Sequence, residues 1–428
     1  MHLGDPDPSL SSLAGLVAFG AYLRTLGVDR ELRDSFGKLK AGDGVIYPMG
    51  AQLRLLLDGF VAGEFRVFGL ESLAADPVFV WLAGGVVPSL DTVYRDLGRF
   101  DEPATHELEQ IMAHHGLAPV RRLRKAEAVH LDIDTTVTPL FGHHEGAELG
   151  PNPRYHGRPS YHPILARVAE TDTCVAAMLR PGDTAFGAED VPFVERAMDF
   201  VRGAIGPVPL LHVRIDAAGD CTDLMGAVDR KGGLFVTKAK MTPDLCSAVA
   251  HHRQWTTTDW DADGRPSRQV ATIRFRRAEW NRIPASIRVV AVRTSERDTG
   301  KQLYLWEDLD FSVQVYLTND WQTEADEVAW RYDKRAGIEP LIAEWKNAWG
   351  IGKVSSESFW ANAATLELKL LGHNLLRRYV LERAPKLRSW RTPWVRRALI
   401  LVPGRMTKSG RRRRLHMPRR PMLPKLLL

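Results

Sequence analysis

The chain has 428 residues, of which 44% are hydrophobic and 26% charged, with a net charge of +6. That length exceeds what one hydrophobic core usually serves, and the composition excludes a disordered or fibrous polymer, so a globular protein of two or three domains is expected. Three cysteines, Cys174, Cys221 and Cys246, lie far apart without CxxC or CxxH spacing, which argues against a disulfide framework or a structural zinc site.

The opening MHLGDPDPSL carries acids where a signal peptide would carry Lys or Arg. No apolar run approaches the roughly 18 to 20 residues needed to cross a bilayer. A cytoplasmic protein with no membrane partner is the expectation. From about Leu13 to Gly116 apolar residues recur at helical spacing, clearest in AQLRLLLDGFVAGEF and HELEQIMAHH. Between these, VVPSLDTVYRDLGRF offers Ser89 as an N-cap ahead of an amphipathic segment, with Tyr94, Arg95 and Arg99 available to a partner. A helix-turn-helix DNA reader and an ordinary helical bundle both fit this text.

At Ala128 the period changes. AVHLDIDTTVTPLFG alternates as a strand does, PILARVAETDTCVAAMLRPGD reads as two strands around a polar turn, and AEDVPFVERAMDFVRGAI reads as a helix. PVPLLHVRIDAAG, CTDLMGAVDRKG and GLFVTKAK then give strand, helix and strand, an order that predicts a mixed sheet with helices on its faces. From about Met241 to Ser312 the text is β-rich again, in RQVATIRFRRAEW, SIRVVAVRTSE and KQLYLWEDLDFSVQVYLTN, which predicts an insertion before the next helix.

Asp132 and Asp134 are two apart in LDIDTT, so on a strand they point to one face. Asp216 closes the apolar strand of HVRIDAAG, just before small residues that let the chain turn. Such an acid caps a turn or faces a cation, because burying it alone is costly. Downstream, RYDKRAGIEPLIAEWK contains Glu339, either part of a wet helical face or a metal ligand. At 100° per residue, Arg335, Glu339 and Lys346 fall at about 300°, 340° and 320° from Tyr332, so the four share one stripe of a helix. Pro340 and Gly337 oppose a continuous helix there, and a kink or a restart at Pro340 is expected. Two strand-borne aspartates and a helix-borne glutamate would form an all-oxygen site suited to Mg2+, and two such ions support in-line displacement at phosphorus. His143, His144 and Glu145 read as an exposed turn rather than a metal cluster. Trp321, Trp330, Trp345 and Trp349 surround the glutamate segment and read as core, with stacking on an unpaired base as the alternative.

Between Arg377 and Leu428 the chain holds 17 Lys/Arg against one acid, Glu382, whereas the remainder holds 41 Lys/Arg against 51 Asp/Glu. A cationic region on an acidic body suits a polyanion partner, since neutralising phosphates releases counterions; a merely solvated arm is the alternative. Arg411, Arg412, Arg413 and Arg414 are its densest run, and the text beyond Pro403 reads as disordered.

Taken together, these segments resemble the bacterial insertion-sequence transposases of the DDE class. Tyr332, Arg335, Glu339 and Lys346 match the Y-x2-R-x3-E-x6-K signature of one branch; LDIDTT is similar to the first-acid segment and VRIDAAGD to the second-acid segment. GAELGPNPRYHGRPSYHPIL is similar to a GYNP…GRPSYHPLL wording of one subgroup, with Pro151 where Tyr is usual, and Ala217-Ala218 replaces the more frequent Ser-Gly. The resemblance covers about Ala128 to Leu371. It implies an α/β, ribonuclease H-like mixed sheet flanked by helices and interrupted by a β-rich insertion. It implies Asp134, Asp216 and Glu339 as catalytic acids holding two Mg2+, with Mn2+ able to substitute, and Asp132 as an assistant. It further implies DNA contacts from Tyr332, Arg335 and Lys346, and as partners double-stranded DNA, both terminal inverted repeats and target, on a homodimer associated with the nucleoid. The expected activity is cleavage at element ends followed by strand transfer from a 3′-hydroxyl. An inactive transposase-derived DNA-binding protein and a Mg2+ nuclease without strand transfer are the alternatives. The expected layout is a helical DNA-binding domain over 1–120, the catalytic core over 121–240 and 316–376, the β-rich insertion over 241–315, and the basic region and tail over 377–428.

Overall fold

The computed structural model describes residues 5–150, 156–295, 311–410 and 412–418. Its N-terminal part is helical, as the periodicity predicts. After the short strand β1 (Leu10–Ser11) come α1 (Gly15–Leu26), α2 (Val28–Phe36), α3 (Met49–Ala62), α4 (Leu70–Leu73), α5 (Pro77–Leu82), α6 (Leu90–Leu97) and α7 (Glu102–Val120). Side-chain caps set several of the starts. Ser89 accepts from the Thr92 amide ahead of α6, Asp76 from Val78 and Phe79 ahead of α5, and Asp101 from Ala104 ahead of α7.

The centre is one nine-stranded sheet. Its strands are β2 (Ala128–Thr135), β6 (Ile164–Val168), β7 (Thr173–Met178), β8 (Leu210–Ile215), β9 (Leu234–Lys238), β10 (Thr256–Trp260), β11 (Pro266–Ile273), β12 (Arg288–Ser295) and β13 (Phe311–Thr318), in the order β10-β11-β12-β13-β9-β8-β2-β6-β7. Within the half β7-β6-β2-β8-β9, β2 pairs parallel with β8 and β8 with β9, while β6 and β7 run antiparallel. That mixed order is the ribonuclease H-like arrangement. The stretch read as an insertion is β-rich as expected, but its strands do not stand apart: β13 pairs antiparallel with β9, so they lengthen the same sheet. Short strands β3 (Thr138–Pro139), β4 (Glu148–Leu149) and β5 (Pro159–Tyr161) form a small second sheet beside it.

Helices cover both faces. Val129, Leu131 and Ile133 of β2 point into a core shared with α8 (Val191–Ile205) and α9 (Thr222–Arg230), near α10 (Pro243–Ala250). The opposite face receives α11 (Ala325–Asp333), α12 (Ile338–Ala348) and α13 (Phe359–Arg383). α13 is buried nearly all round from Ala361 to Leu376, its polar Asn362, Glu367, Lys369, His373 and Asn374 included. Its core also takes in α1 to α3, α7 and α14 (Thr392–Leu399).

The C-terminal region corrects one expectation. Among the described residues beyond Pro403 there is an antiparallel ribbon, β14 (Gly404–Ser409) with β15 (Arg412–His416), joined to β1 through β14, while residues 419–428 lie outside the described ones. Met406 and Leu415 seat its base against the core, which is what composition alone could not reveal.

Candidate active site

Alternation along β2 places His130, Asp132 and Asp134 on the face that α11 and α12 cover. On parallel β8 the same face holds His212, Arg214 and Asp216, with His130 opposite His212 and Asp132 opposite Arg214. Continuing that register brings Asp134 and Asp216 side by side at the C-terminal ends of the two central strands. Asp134 lies in the last turn of alternation before the chain leaves the sheet, and Asp216 caps a short 3-10 turn by accepting from the Ala218 amide at 2.9 Å.

Arg335 reaches this pair from the helical layer. Its Nη2 lies 2.9 Å from Asp134 Oδ2 and its Nη1 3.7 Å from Glu339 Oε1, so one buried guanidinium joins the first and third acids. Burial raises the Asp134 carboxyl to about 6; Arg335 opposes the rise, and the charges of Asp216 and Glu339 add to it. Asp134 therefore feels both of the other acids across a common mouth. Glu339 is the outermost, with 68% of its side chain exposed. The acids do not close tightly. Among the described residues, the group whose donor atoms all lie within 4.8 Å is Glu31, His114 and His115, on α2 and α7. There Arg378 faces His115 Nδ1 at 3.4 Å, which assigns the Nε2 proton to a hydrogen bond with Glu31 at 2.8 Å. That group reads as a helix-to-helix latch.

The glutamate segment is not one helix. α11 ends at Asp333, a 3-10 turn spans Lys334–Gly337, and α12 begins at Ile338. Pro340 thus falls in the first turn of α12, where the missing N–H costs little. The restart comes two residues earlier than the sequence suggests, and of the signature residues Tyr332 and Arg335 face inward whereas Glu339 stays exposed. Tyr332 is buried at 5% exposure, packs on Tyr316 at 4.9 Å and feels the charges of Asp216 and Asp134. Burial, chiefly, raises its phenol to about 12. Lys346 Nζ donates to the Val137 carbonyl at 2.8 Å, tying α12 to the segment that follows Asp134.

Asp132 is corrected outright. It is fully buried and saturated by two arginines: Arg167 Nε donates to it at 3.0 Å and Arg214 Nη2 at 3.0 Å. It has no oxygen left for a metal, so it is no assistant to Asp134. Arg214 also donates to the Arg331 carbonyl at 2.7 Å, and Arg167 passes so close to Gly337 that a Cβ there would lie 2.8 Å from Nη2. These arginines carry no motif of their own, because their meeting depends on strand register. His162, in a segment whose sequence suits an approach to DNA, lies 3.0 Å by Nε2 from Thr135 Oγ1, beside Asp134.

The other expected residues divide. His144 bonds to the Ser356 and Phe141 carbonyls, and Glu145 accepts from the Phe359 amide, so that turn anchors α13. Trp345 and Trp349 are core, whereas Trp321 and Trp330 are about half exposed. Arg95 and Arg99 are exposed, although Arg99 pairs with Asp96 at 3.0 Å. Arg412, Arg413 and Arg414 are exposed on β15; Arg411 lies outside the described residues, as do Pro151 and its immediate neighbours. A cavity of about 210 Å³ on the far side of α12, lined by Pro340, Glu344, His373, Arg377 and Trp390 among others, holds none of the acids.

The donor set of Asp134, Asp216 and Glu339 is all oxygen and all anionic, and its members repel one another in a half-buried mouth. It fits divalent cations such as Mg2+. Among the described residues no helix is long and apolar enough to cross a membrane.

No curated protein matches this sequence. Among solved structures, the cryo-EM structure of a piggyBac transposase synaptic complex with hairpin DNA is similar over 90% of this chain and 78% of that chain, at 12% identity and a TM-score of 0.47. The family described as transposase DDE domain group 1 matches residues 8–427. With that match running through both aspartate strands and the glutamate helix, the chain belongs to the transposase DDE domain group 1 family.

Proposed function

We propose that this transposase cuts DNA at the ends of a mobile element and joins the freed ends to a target. The reading places it in the bacterial insertion-sequence branch that carries the Y-x2-R-x3-E-x6-K signature. In it, Asp134, Asp216 and Glu339 are the catalytic acids and would hold two Mg2+ ions. When bound, such ions polarise the scissile phosphate and make water a competent nucleophile near neutral pH. The chain's own contribution is to hold two carboxylates on adjacent parallel strands and bring the third across on α12. Water attacks phosphorus and the 3′ oxygen leaves; that 3′-hydroxyl then attacks a second phosphodiester in the same geometry.

The observation that carries this reading is the bridge from Arg335 to both Asp134 and Glu339, with Asp216 near enough to raise the Asp134 carboxyl. Tyr332, Arg335 and Lys346 brace the mouth in this structure; the DNA contacts implied for them would come in addition. The helical region 1–120 and the basic region 377–428 are assigned to holding DNA, and a homodimer would bring two element ends together.

Glu339→Ala tests the mechanism. The variant should bind a duplex carrying the element's terminal repeat as the parent does and lose Mg2+-dependent cleavage by at least about 100-fold, the scale of removing a group from a metal-assisted site. Undiminished cleavage would remove Glu339 from the chemistry. Supplying pre-cut ends and scoring joined product separates a transposase from a nuclease without strand transfer.

A further inference from the structure

Among the described residues, the ribbon of β14 and β15 takes its strand pairing and apolar packing at its base. Leu10 and Ser11 pair with Arg405 and Gly404, the Met406 amide donates to the Ser9 carbonyl at 2.8 Å, and Met406 and Leu415 pack on the core. Beyond that base, Thr407, Lys408, Ser409, Arg412, Arg413 and Arg414 are all exposed, and the turn is made through Gly410 at φ +59°. A two-stranded ribbon is marginal by itself in water. This one is also burdened by charge: Lys408 stands directly opposite Arg413, a like-charge pair that destabilises a hairpin. From Arg383 to the last residue the sequence contains no acid to offset it. Among the described residues, Asp7 pairs with Arg405 at 3.0 Å, at the base and not along the free part.

The register sorts the side chains. One face carries Met406, Lys408, Arg413 and Leu415 and turns toward Pro77, Val80 and Trp81 around α5. The other face is wholly exposed and consists of three rungs, Arg405 with His416, Thr407 with Arg414, and Ser409 with Arg412. Each rung carries one cation and one smaller polar side chain, and Thr407 Oγ1 lies 3.1 Å from His416 Nε2 across neighbouring rungs. Successive rungs are two residues apart, so the face is roughly 13 Å long at 3.3 to 3.4 Å per residue. Two strands about 4.8 Å apart with arginines on them fit a major groove about 12 Å wide in undeformed B-form DNA, whereas a minor groove of about 6 Å would first have to be opened by bending the duplex.

We propose that the outward face of this ribbon, Arg405, Thr407, Ser409, Arg412, Arg414 and His416, lies in the major groove of double-helical DNA. The proposal rests on the transposase reading for its partner, and on the ribbon's own geometry for the groove. Arg412 and Arg414 would meet phosphates on either side of the groove, easing the crowding of cations around Lys408 and Arg413, while the smaller side chains of the rungs would face base edges.

The test uses the full chain, a fluorescent mixed-sequence duplex and anisotropy at several salt concentrations. Replacing Arg412→Ala and Arg414→Ala together, with circular dichroism as the check on folding, should lower the slope of log affinity against log salt by about 2, since each phosphate contact contributes about 0.9. A duplex whose major groove is filled by glucosylated hydroxymethylcytosine should bind the parent no better than the double variant, while a minor-groove drug should leave their difference intact. An unchanged slope overturns the ribbon proposal and leaves the transposase reading standing. So does a difference abolished by the minor-groove drug. A parent chain that binds anionic phosphatidylserine vesicles but no duplex overturns both.

Discussion

Asp134 and Asp132 stand two residues apart on one strand face, yet the structure gives them opposite chemistry. With its carboxyl raised from 3.8 to about 6, Asp134 binds its proton more tightly folded than unfolded. Its contribution to stability is therefore complete below pH 4 and is lost as pH rises through 6, up to about 3 kcal/mol if the whole shift is expressed. The urea midpoint should fall between pH 4 and pH 7, and Asp134→Asn should remove that part of the fall; two superimposable pH profiles would show that Asp134 is not held as described. Asp132 is the reverse case, a carboxylate saturated by Arg167 and Arg214 in the interior. Asp132→Asn leaves buried Arg214 without its counter-charge and Arg167 with Asp172 alone, and the loss should be about 3 to 5 kcal/mol in equilibrium unfolding. The sequence offered both aspartates as site residues. What separates them is the residue facing each across the sheet, and a single strand's text does not contain its neighbours.

At the scale of elements, the strands and helices of the sheet were legible because each is one period long and buried on a known face: LLHVRI and VPFVERAMDFVRGAI declare themselves. The glutamate segment was harder. Its stripe of Tyr332, Arg335, Glu339 and Lys346 assumed one helix, whereas α11 stops and α12 restarts after a 3-10 turn, which changes the rotation between Tyr332 and Glu339. The break explains how Pro340 is tolerated. Pro340→Ala should change stability by no more than about 0.5 kcal/mol, against about 3 kcal/mol for a proline inside a continuous helix. Gly337→Ala should behave differently, because its Cβ would push on Arg167, which is fixed by Asp132 and Asp172. We expect a loss of about 1 to 3 kcal/mol and a rise in the Mg2+ concentration needed for half-maximal cleavage, since the same turn carries Arg335. The ribbon of β14 and β15 was missed for a related reason: an arginine-rich strand has the composition of a disordered arm, and only its pairing partner makes it a strand.

For the molecule as a whole, periodicity marks a boundary near residue 120 that packing ignores. Leu16, Phe19, Leu53 and Phe60 from the first helices share one core with Ile338, Trp345, Leu371 and Leu399 from beyond the glutamate. The joint is polar at its centre. Asn374 on α13 donates to the Met112 carbonyl at 3.0 Å and the Cys174 carbonyl at 2.8 Å, and accepts from the Cys174 amide at 2.9 Å, so one buried amide links α7, β7 and α13. Two regions joined by a continuous core unfold together, whereas separate domains would give separate transitions. Calorimetry should therefore find a single transition covering the helical part and the end of the sheet that carries β6 and β7. Asn374→Ala strands three backbone groups in the interior, and should lower stability by about 2 to 4 kcal/mol while keeping the transition single. A variant that instead splits the melt in two, or a protease that frees a folded fragment of residues 1–120, would show that the helical region stands by itself. The catalytic consequence follows from the same packing: α12 is held on the sheet by this shared core, so the position of Glu339 depends on helices more than 200 residues upstream as directly as on its own turn.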